Sequence, residues 1–598
     1  MAKRPPTPAA VPMLFIDTGR RRHPNLFIPK LLAEQARMPA IDGLDLQNAE
    51  AQLKHWAQLA EDGHLNQKET SLDAEFLEKI FGDGLGYKSV SESPHDYHRE
   101  KNPTVAGAGT ADGSLGFFVS GKTVAPIAII ELKGASTDLD HDKFNGRTPV
   151  QQCWDYLNQL PDTPWGIVSN YVTIRLYHRN SPARAYEEFT VKDFRDPERV
   201  RQFFYVFHRY GLLGNKVNAP RALELLKGSQ NRQREVGDEL YAIYSQQRTH
   251  LIDHLMGEQG KSQDQAIHIA QLIIDRIVFV AFCEDRGLLP ERLIETAYKE
   301  IPRFSSVVNP RWQQFKTVFG YIDRGSTAHG IDRFNGNLFK PDTEVDNLEL
   351  DDKFTHFFKA IGDYNFQTEV NVEVLGHLFE RSITELEKLR FVGLFGKQAD
   401  QTAAMMPKSA ERKRFGIYYT PPEFTELIVE HTLGKLIEER VAPVEDFAGK
   451  VAALRALKVC DPACGSGAFL IAAYDWLEEA YENVARLMRI RANQDEDLAL
   501  SDRAAKLVGD YPDYILSDNL YGVDLSAESV EITQLALWIR SARKGRTLAD
   551  LSRNIINGNS LISDPTVHPK AMTWQAVFPE VFDRNAKGFD AVIGNPPW

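Results

Sequence analysis

The chain has 598 residues, of which 43% are hydrophobic and 26% are charged, and its formal net charge at pH 7 is -13. This length predicts roughly four domains, and the composition is that of a globular protein with several apolar cores. The acidic balance argues against a protein that coats nucleic acid without sequence preference. No run of about 18 apolar residues is apparent, which predicts that the protein has no membrane-spanning helix and no membrane partner.

The cysteines and the N-terminal sequence indicate the compartment. Four cysteines are too few for a disulfide scaffold, and they lack the paired C-x-x-C spacing of a zinc site. The first residues, MAKRPPTPAAVPMLF, lack the apolar core of a secretory signal. Together these features predict a reducing, cytoplasmic location.

The pattern of predicted elements divides the chain into three regions. Residues 1–190 begin with a basic arm and continue with helices and short β-rich runs, which indicates an α/β domain. Residues 191–395 have apolar residues at three- and four-residue spacing, which predicts a helical connector domain. Residues 396–598 begin with a polar stretch and then alternate strands and helices, which predicts a Rossmann-like, doubly wound parallel sheet.

Two carboxylates and a lysine in the first region have the pattern of a metal site. Asp112 precedes one β-rich run, and Glu131 and Lys133 end the next one, APIAIIELKG. Because side chains alternate along a strand, Glu131 and Lys133 point to one face while Leu132 faces the core. Carboxylates from adjacent strands can bind Mg²⁺, which lowers the pKa of a bound water and stabilises charge on a phosphate.

This set resembles the motif of the PD-(D/E)XK nuclease family, although no proline precedes Asp112 and glycine follows it. The resemblance implies Mg²⁺-dependent DNA cleavage, with Asp112 and Glu131 as metal ligands and Lys133 as a catalytic residue. It also implies that Gln152 and Tyr156, which form a Q-x-x-x-Y pair on the following helix, belong to the catalytic site. An E-x-K sequence on a strand is common by itself, so the interpretation depends on the whole set.

A further metal-proximal carboxylate is expected from the same resemblance. Many members of the family have a glutamate on the helix before the first metal ligand, and Glu78 occupies that place here. Glu75 competes with Glu78 for the role, and an exposed helix residue would explain Glu78 equally well.

A glycine-rich turn lies between a predicted strand and a predicted helix in VCDPACGSGAFL. Small residues let the backbone approach a ligand closely, and a helix N-terminus favours a negative group. The sequence DPACGSG resembles motif I of the amino-methylating DNA methyltransferases. The resemblance implies that the turn holds the methionine part of S-adenosylmethionine, with the following binding residues: Asp461, Ala463, Gly465 and Gly467.

Three further segments resemble other motifs of the same methyltransferases. Asp524 ends a predicted strand in LYGVDLS, as motif II does, which implies hydrogen bonds to ribose hydroxyls. Asn559 in NIINGNSL stands where motif III often has aspartate, and the resemblance implies a contact with the cofactor adenine. The segment GIYYTPPEF resembles motif X, which closes over the methionine end of the cofactor through Tyr419, Thr420 and Pro421.

The last four residues, Asn595-Pro596-Pro597-Trp598, resemble motif IV, (N/D)PP(Y/F/W), and the asparagine points to N6 of adenine as the target. Asn595 and the Pro596 carbonyl can accept hydrogen bonds from the exocyclic amine, which moves electron density toward the attacking nitrogen. The base must leave the duplex, and the face of Trp598 can stack on it. A proline-rich turn would explain this string by itself, but the order of the motifs matches the γ class.

The three regions together resemble the type IIG restriction-modification enzymes. The resemblance implies that Mg²⁺-dependent cleavage is coupled with N6-adenine methylation of double-stranded DNA. Such proteins continue after motif IV, so we expect an incomplete methyltransferase domain, with a downstream chain or segment supplying the remainder and the target recognition domain. Two alternatives stay open: a phage-defence DNA methyltransferase with a degenerate nuclease, and a non-catalytic DNA-binding subunit completed by a partner chain.

Overall fold

The computed structural model divides the chain into two compact units, Met1–Arg232 and Gln233–Trp598. Both units contain helices and a β-sheet, which confirms the predicted mixed α/β class. The structure describes residues 25–595 except for 39–40, 42, 66–68, 123, 182–184, 215–218, 302–305, 335–336, 367–369, 371–373, 377, 380, 383–384, 387–419, 421 and 544.

A six-stranded sheet lies at the centre of the first unit. The strands of this unit are β1 (Tyr97–Lys101), β2 (Thr104–Val105), β3 (Gly109–Thr110), β4 (Gly113–Phe118), β5 (Ala128–Leu132), β6 (Trp165–Ser169), β7 (Thr173–His178) and β8 (Tyr186–Thr190). The order in the sheet is β1-β4-β5-β6-β7-β8, and β2 pairs only with β3. Strands β5 and β6 are parallel, while the other neighbours in the six-stranded sheet are antiparallel.

Helices cover both faces of this sheet. They are α1 (Pro29–Ala36), α2 (Leu46–Glu61), α3 (Glu69–Phe76), a π-helical turn (Leu77–Gly84), α4 (Pro149–Gln159), α5 (Pro197–Phe207) and α6 (Arg209–Leu212). Ile130 and Leu132 of β5 belong to the larger apolar core, which includes residues of α2 and α5. Ile129 belongs to a smaller core with Cys153 of α4. Leu132 therefore faces the main core, as the strand alternation predicts.

The second unit begins within a long helix and is mainly helical up to the second sheet. Its helices before that sheet are α7 (Arg221–Gly257), α8 (Gln263–Asp285), α9 (Leu293–Lys299), α10 (Pro310–Arg324), α11 (Thr343–Asp346), α12 (Thr355–Gly362), α13 (Pro422–Val429), α14 (Lys435–Arg440) and α15 (Phe447–Ala456). A π-helical turn, Glu430–Gly434, joins α13 to α14.

Helix α8 is long and apolar enough to cross a membrane, a property that the sequence analysis missed. Its most apolar 18-residue window is 89% buried inside the protein, as in the core helix of a folded domain. Three charged residues on it, Asp275, Arg276 and Glu284, are also buried, and Arg276 donates hydrogen bonds to the carbonyls of Leu338 and Lys340 at 2.8 and 3.0 Å. The helix therefore forms part of the interior of the second unit.

The second sheet is parallel throughout. Its strands are β9 (Val459–Asp461), β10 (Leu520–Asp524), β11 (Ile555–Asn557) and β12 (Ala591–Val592), in the order β11-β10-β9-β12. The helices between and beside them are α16 (Ala468–Asp495), α17 (Leu498–Tyr514), α18 (Ala527–Ser541), α19 (Trp574–Val577) and α20 (Pro579–Phe582). Because the strands are parallel, the residues that follow β9, β10, β11 and β12 gather at one end of the sheet.

One large apolar core extends through most of the second unit, and a smaller one includes residues of β9 and β10. The large core includes residues between Val236 and Leu386 as well as residues between Val429 and Ile593. Helix α8 meets α18 directly, where His268 Nδ1 lies 3.0 Å from Glu531 Oε1. The helical segment and the segment with the parallel sheet thus share their interior.

Candidate functional sites

In the first unit the structure gathers Asp112, Glu131 and Lys133 into one cluster. Lys133 Nζ lies 2.5 Å from Glu131 Oε1 and 4.0 Å from Asp112 Oδ2. The backbone N–H of Leu132 donates to Asp112 Oδ2 at 2.6 Å, which ties the carboxylate to the end of β5. These three side chains meet because Asp112 directly precedes β4, and β4 pairs with β5.

Burial has the largest effect on the pKa of Glu131 in this cluster. Glu131 is only 2% exposed, and among the described residues no donor meets its Oε2 atom with hydrogen-bond geometry. Burial, followed by the nearby Asp112 charge, raises the pKa of Glu131 to about 7, although Lys133 acts in the opposite direction. A buried oxygen without a partner is costly unless a proton, a water or a cation satisfies it. Glu131 is therefore poised between its protonated and charged forms near neutral pH.

The two residues predicted on α4 take different positions. Tyr156 lies near the carboxylates, and its hydroxyl donates to the Thr110 carbonyl at 3.1 Å. Burial and the nearby Glu131 charge raise the pKa of Tyr156, which keeps the hydroxyl protonated. The Gln152 side chain instead donates to the Phe144 carbonyl at 3.2 Å, so it supports the preceding loop.

Glu78 does not join this cluster. It lies exposed on the π-helical turn, and the described part of the chain contains no group of three metal-ligating side chains. The sequence analysis also missed Phe144, whose ring lies 5.3 Å from Lys133 Nζ. No local pattern signals this contact, because the loop that contains Phe144 meets β5 only in the folded chain. Two carboxylates and a lysine are thus the groups that the structure brings together.

In the second unit the glycine turn between β9 and α16 has the conformation that its glycines predict. Gly465 and Gly467 have φ values of 53° and 84°, in the region that glycine adopts without strain. Asp461 ends β9, is 1% exposed and accepts a hydrogen bond from the Ala463 N–H at 3.1 Å. Burial is the main cause that raises the pKa of Asp461 to about 7.

Asp524 lies at the end of β10 and binds the same turn. One carboxylate oxygen accepts from the Gly465 N–H at 2.9 Å, and the other accepts from the Ser526 N–H at 2.8 Å. Burial raises the pKa of Asp524, while these backbone donors oppose the shift. The Ser529 hydroxyl and the Leu525 N–H also hydrogen-bond to this carboxylate and oppose the shift.

The residues predicted from motifs X and IV are in contact. The Asn595 side-chain amide donates to Thr420 Oγ1 at 3.2 Å, although 175 positions separate the two residues. Gly594, which the sequence analysis did not single out, lies against Asp461, since a Cβ on Gly594 would lie 2.7 Å from Asp461 Oδ1. Only glycine fits there, and the glycine directly before the NPPW string is the sequence signal for it.

The Asn559 side chain forms hydrogen bonds with the residues that directly follow it. Its side-chain oxygen accepts hydrogen bonds from the N–H groups of Leu561 and Ile562, both at 3.0 Å, and so closes a turn after β11. This oxygen is therefore used by the chain itself in the structure. The remaining predicted residues lie outside the described residues: Tyr419, Pro421, Pro596, Pro597 and Trp598.

A family model matches part of the second unit, and several known proteins are similar to the chain. Residues 518–598, which include Asp524 and Asn595, match the family described as Eco57I restriction-modification methylase. The chain is 24% identical over 355 residues to RM.MjaORFECS2P of Methanocaldococcus jannaschii, which is named a type II restriction enzyme and methyltransferase. That match covers 49% of this chain and 27% of the relative.

Two further proteins are similar to parts of the chain. The type II restriction enzyme and methyltransferase RM.Eco57I of Escherichia coli is 24% identical over 345 residues, covering 55% of this chain and 30% of the relative. A solved structure of the type IIL restriction-modification enzyme MmeI in complex with DNA has a TM-score of 0.39 and 16% identity, over 61% of this chain and 43% of that one. The chain spans about a third or less of the length of the curated relatives.

The family resemblance that the motifs predict is thus confirmed: the chain resembles type IIG-like restriction-modification enzymes, and its residues 518–598 match an Eco57I-like restriction-modification methylase.

Proposed function

We propose that the second unit transfers a methyl group from S-adenosylmethionine to N6 of adenine in double-stranded DNA. The observation that supports this most is the hydrogen bond between Asn595 and Thr420, because it joins the motif IV-like and motif X-like residues beside the glycine turn. The match of residues 518–598 to a methylase family supports the same assignment. The direct test is methyl transfer from labelled cofactor to DNA by the purified protein, with the product base identified by mass spectrometry.

The contact with Thr420 also orients the reactive side chain. Since the Asn595 amide nitrogen donates to Thr420 Oγ1, the amide oxygen points away from that hydroxyl. This oxygen can then accept a hydrogen bond from the exocyclic amine of adenine, which makes the amine a better nucleophile. Asn595 itself is exposed, so a base that has left the duplex can reach it.

The residues around the glycine turn fit the cofactor. S-adenosylmethionine supplies an electrophilic methyl group, an ammonium group and two ribose hydroxyls. The carboxylate oxygens of Asp524 at the end of β10 can accept hydrogen bonds from the ribose hydroxyls, and the buried carboxyl of Asp461 lies at the same end of the sheet. The positive φ values of Gly465 and Gly467 let the backbone approach without side chains in the way.

We expect Asp524→Ala to weaken the binding of S-adenosylmethionine by about 1–3 kcal/mol, since the ribose hydroxyls would lose their acceptor. Isothermal titration calorimetry measures the change directly. Asp564→Ala is the matched control, because the Asp564 carboxylate is fully exposed and bonds only to nearby Thr566. Equal affinity of the Asp524→Ala variant and the wild type would contradict the assignment of Asp524 to the cofactor.

For the first unit we propose Mg²⁺-dependent cleavage of DNA. The supporting observation is the cluster of Asp112, Glu131 and Lys133, in which the buried Oε2 atom of Glu131 meets no hydrogen-bond donor among the described residues. Mg²⁺ prefers oxygen ligands and keeps several waters, so two carboxylates are enough to hold it. The ion supplies an activated water and stabilises charge on the phosphate. Lys133 can neutralise the same phosphate, because its Nζ lies within 4.0 Å of both carboxylates.

The raised pKa of Glu131 predicts how the metal affinity changes with pH. With a pKa of about 7, most of the Glu131 carboxyl groups hold a proton at pH 6, and binding of Mg²⁺ must release it. We expect the affinity for Mg²⁺ to rise about tenfold between pH 6 and pH 8 and then to level off. Calorimetry in buffers of different ionisation enthalpy measures both the affinity and the released protons. Constant affinity across this range would contradict the link to Glu131.

We propose double-stranded DNA in the cytoplasm as the substrate, and a further polypeptide segment as the part that recognises the target sequence. The short coverage of the curated relatives, 27% and 30% of their lengths, supports the second point. The alternative of a degenerate nuclease predicts methylation without any Mg²⁺-dependent cleavage. The alternative of a non-catalytic subunit predicts no binding of S-adenosylmethionine, so the titration separates it from our proposal.

A further inference from the structure

Thr533 is a buried polar residue of α18 that faces the glycine turn. It has no exposed surface, and its hydroxyl donates to the Gly465 carbonyl at 2.9 Å. The Cys464 Sγ atom lies 3.7 Å from the same hydroxyl, but a carbonyl oxygen is the stronger acceptor. A Cβ added to Gly467 would lie 3.1 Å from both Oγ1 and Cγ2 of Thr533. The side chain therefore packs on the turn as well as bonding to it.

With this hydrogen bond, both backbone groups of Gly465, its N–H and its carbonyl, are bound by side chains of other segments. The Gly465 N–H donates to Asp524 Oδ2 at 2.9 Å, while its carbonyl accepts from Thr533. The preceding Cys464 N–H donates to the Val523 carbonyl at 3.0 Å. Gly465 has φ 53°, and glycine has more accessible backbone conformations than any other residue. External hydrogen bonds are therefore needed to select one of them.

The Thr533 hydroxyl also sets the direction of the next N–H. In a trans peptide the carbonyl and the following N–H point in opposite directions. Because the Gly465 carbonyl points toward α18, the Ser466 N–H points away from that helix. Within the described residues this N–H has no protein acceptor. It is thus a backbone donor held in a fixed direction and left for another partner.

We infer that Thr533 is a positioning residue, which holds the Gly465–Ser466 peptide in the orientation that binds S-adenosylmethionine. The inference rests on the proposed function of the glycine turn. Thr533 does not contact the ligand itself in this role. Its hydroxyl restricts the backbone conformations of the turn before the ligand binds. The conformational entropy lost on binding is therefore smaller, and the affinity is higher.

We compare the wild type, Thr533→Val and Thr533→Ser by calorimetric titration with S-adenosylmethionine. Thr533→Val has nearly the same shape without the hydroxyl, and we expect the dissociation constant to rise about tenfold, as for the loss of one hydrogen bond. Thr533→Ser keeps the hydroxyl and is expected to stay within about threefold of the wild type. Hydrogen exchange of the peptide covering residues 462–470 should be faster in the valine variant without ligand.

Thr163→Val is the matched control, since Thr163 is equally buried and its hydroxyl donates to the Pro126 carbonyl at 2.7 Å in the first unit. We expect this variant to bind the cofactor like the wild type. If the wild type does not bind S-adenosylmethionine, the proposed function fails. If the wild type binds and Thr533→Val binds equally well, or if Thr163→Val weakens binding by the same factor, the role of Thr533 is overturned. Should the valine variant not fold, Thr533→Ala is compared with Thr533→Ser in the same titration.

Discussion

Glu131→Gln is expected to abolish DNA cleavage, by at least about a thousandfold, while leaving methyl transfer unchanged. The substitution keeps the size of the side chain but removes the charge that holds a divalent cation. The Lys133 ammonium keeps an oxygen acceptor at the same position, so the fold should persist. Cleavage of plasmid DNA with Mg²⁺ and methylation of the same DNA are measured in parallel on the full-length protein.

Glu75→Gln is the control for this experiment, because Glu75 is an exposed glutamate of α3. Glu78→Gln adds information, since the sequence predicts Glu78 as a metal-proximal residue while the structure leaves it exposed. Loss of both activities in a folded Glu131→Gln protein would argue against separate sites. Undiminished cleavage would remove Glu131 from the metal site and favour the degenerate-nuclease alternative.

Asn595→Ala is expected to lower the rate of methyl transfer by about a hundred- to a thousandfold, as for the loss of one preorganised polar group in an active site. The amide oxygen that accepts from the target amine would be absent, and Thr420 would lose its donor. Binding of S-adenosylmethionine should change little, because the carboxylates and the glycine turn stay intact. Single-turnover methylation measures the rate, and calorimetry measures the cofactor affinity.

Two further variants accompany this test: Asn595→Asp as a conservative substitution and Asn585→Ala as a control. Aspartate keeps an acceptor for the target amine, so the Asn595→Asp variant should retain more activity than the alanine variant. Asn585 is an exposed asparagine ten positions earlier, and its substitution should have no effect. A full rate of methylation by Asn595→Ala would exclude Asn595 as the residue that activates adenine.

Local sequence patterns predicted the parts of both sites that depend on local geometry. Alternation along a strand correctly placed Leu132 in the main core and left Glu131 and Lys133 beside Asp112. The sequence DPACGSG correctly predicted a glycine-rich turn between a strand and a helix, and the structure adds that Gly465 and Gly467 have positive φ values. These features follow from the periods of strands and helices and from the freedom of glycine.

The features that the sequence did not reveal depend on contacts between distant segments. Thr533 reaches the glycine turn only after α18 has packed against β10, and Gly594 reaches Asp461 only after β12 has paired with β9. Gln152 has the spacing of a catalytic residue, yet its amide bonds to the loop carbonyl of Phe144. Asn559 likewise uses its side-chain oxygen for its own turn, as asparagine often does.

The large apolar core that two segments of the second unit share has a consequence for how such proteins can diverge. Residues from the helical segment and from the segment with the parallel sheet fill the same interior, and α8 presses directly on α18. Interiors of this kind are close-packed, so a change of volume on one helix must be matched on the other. Recombination between related genes at a point between α8 and α18 would join two helices that did not evolve in contact with each other. We therefore expect the two segments to be inherited together, as one unit of exchange.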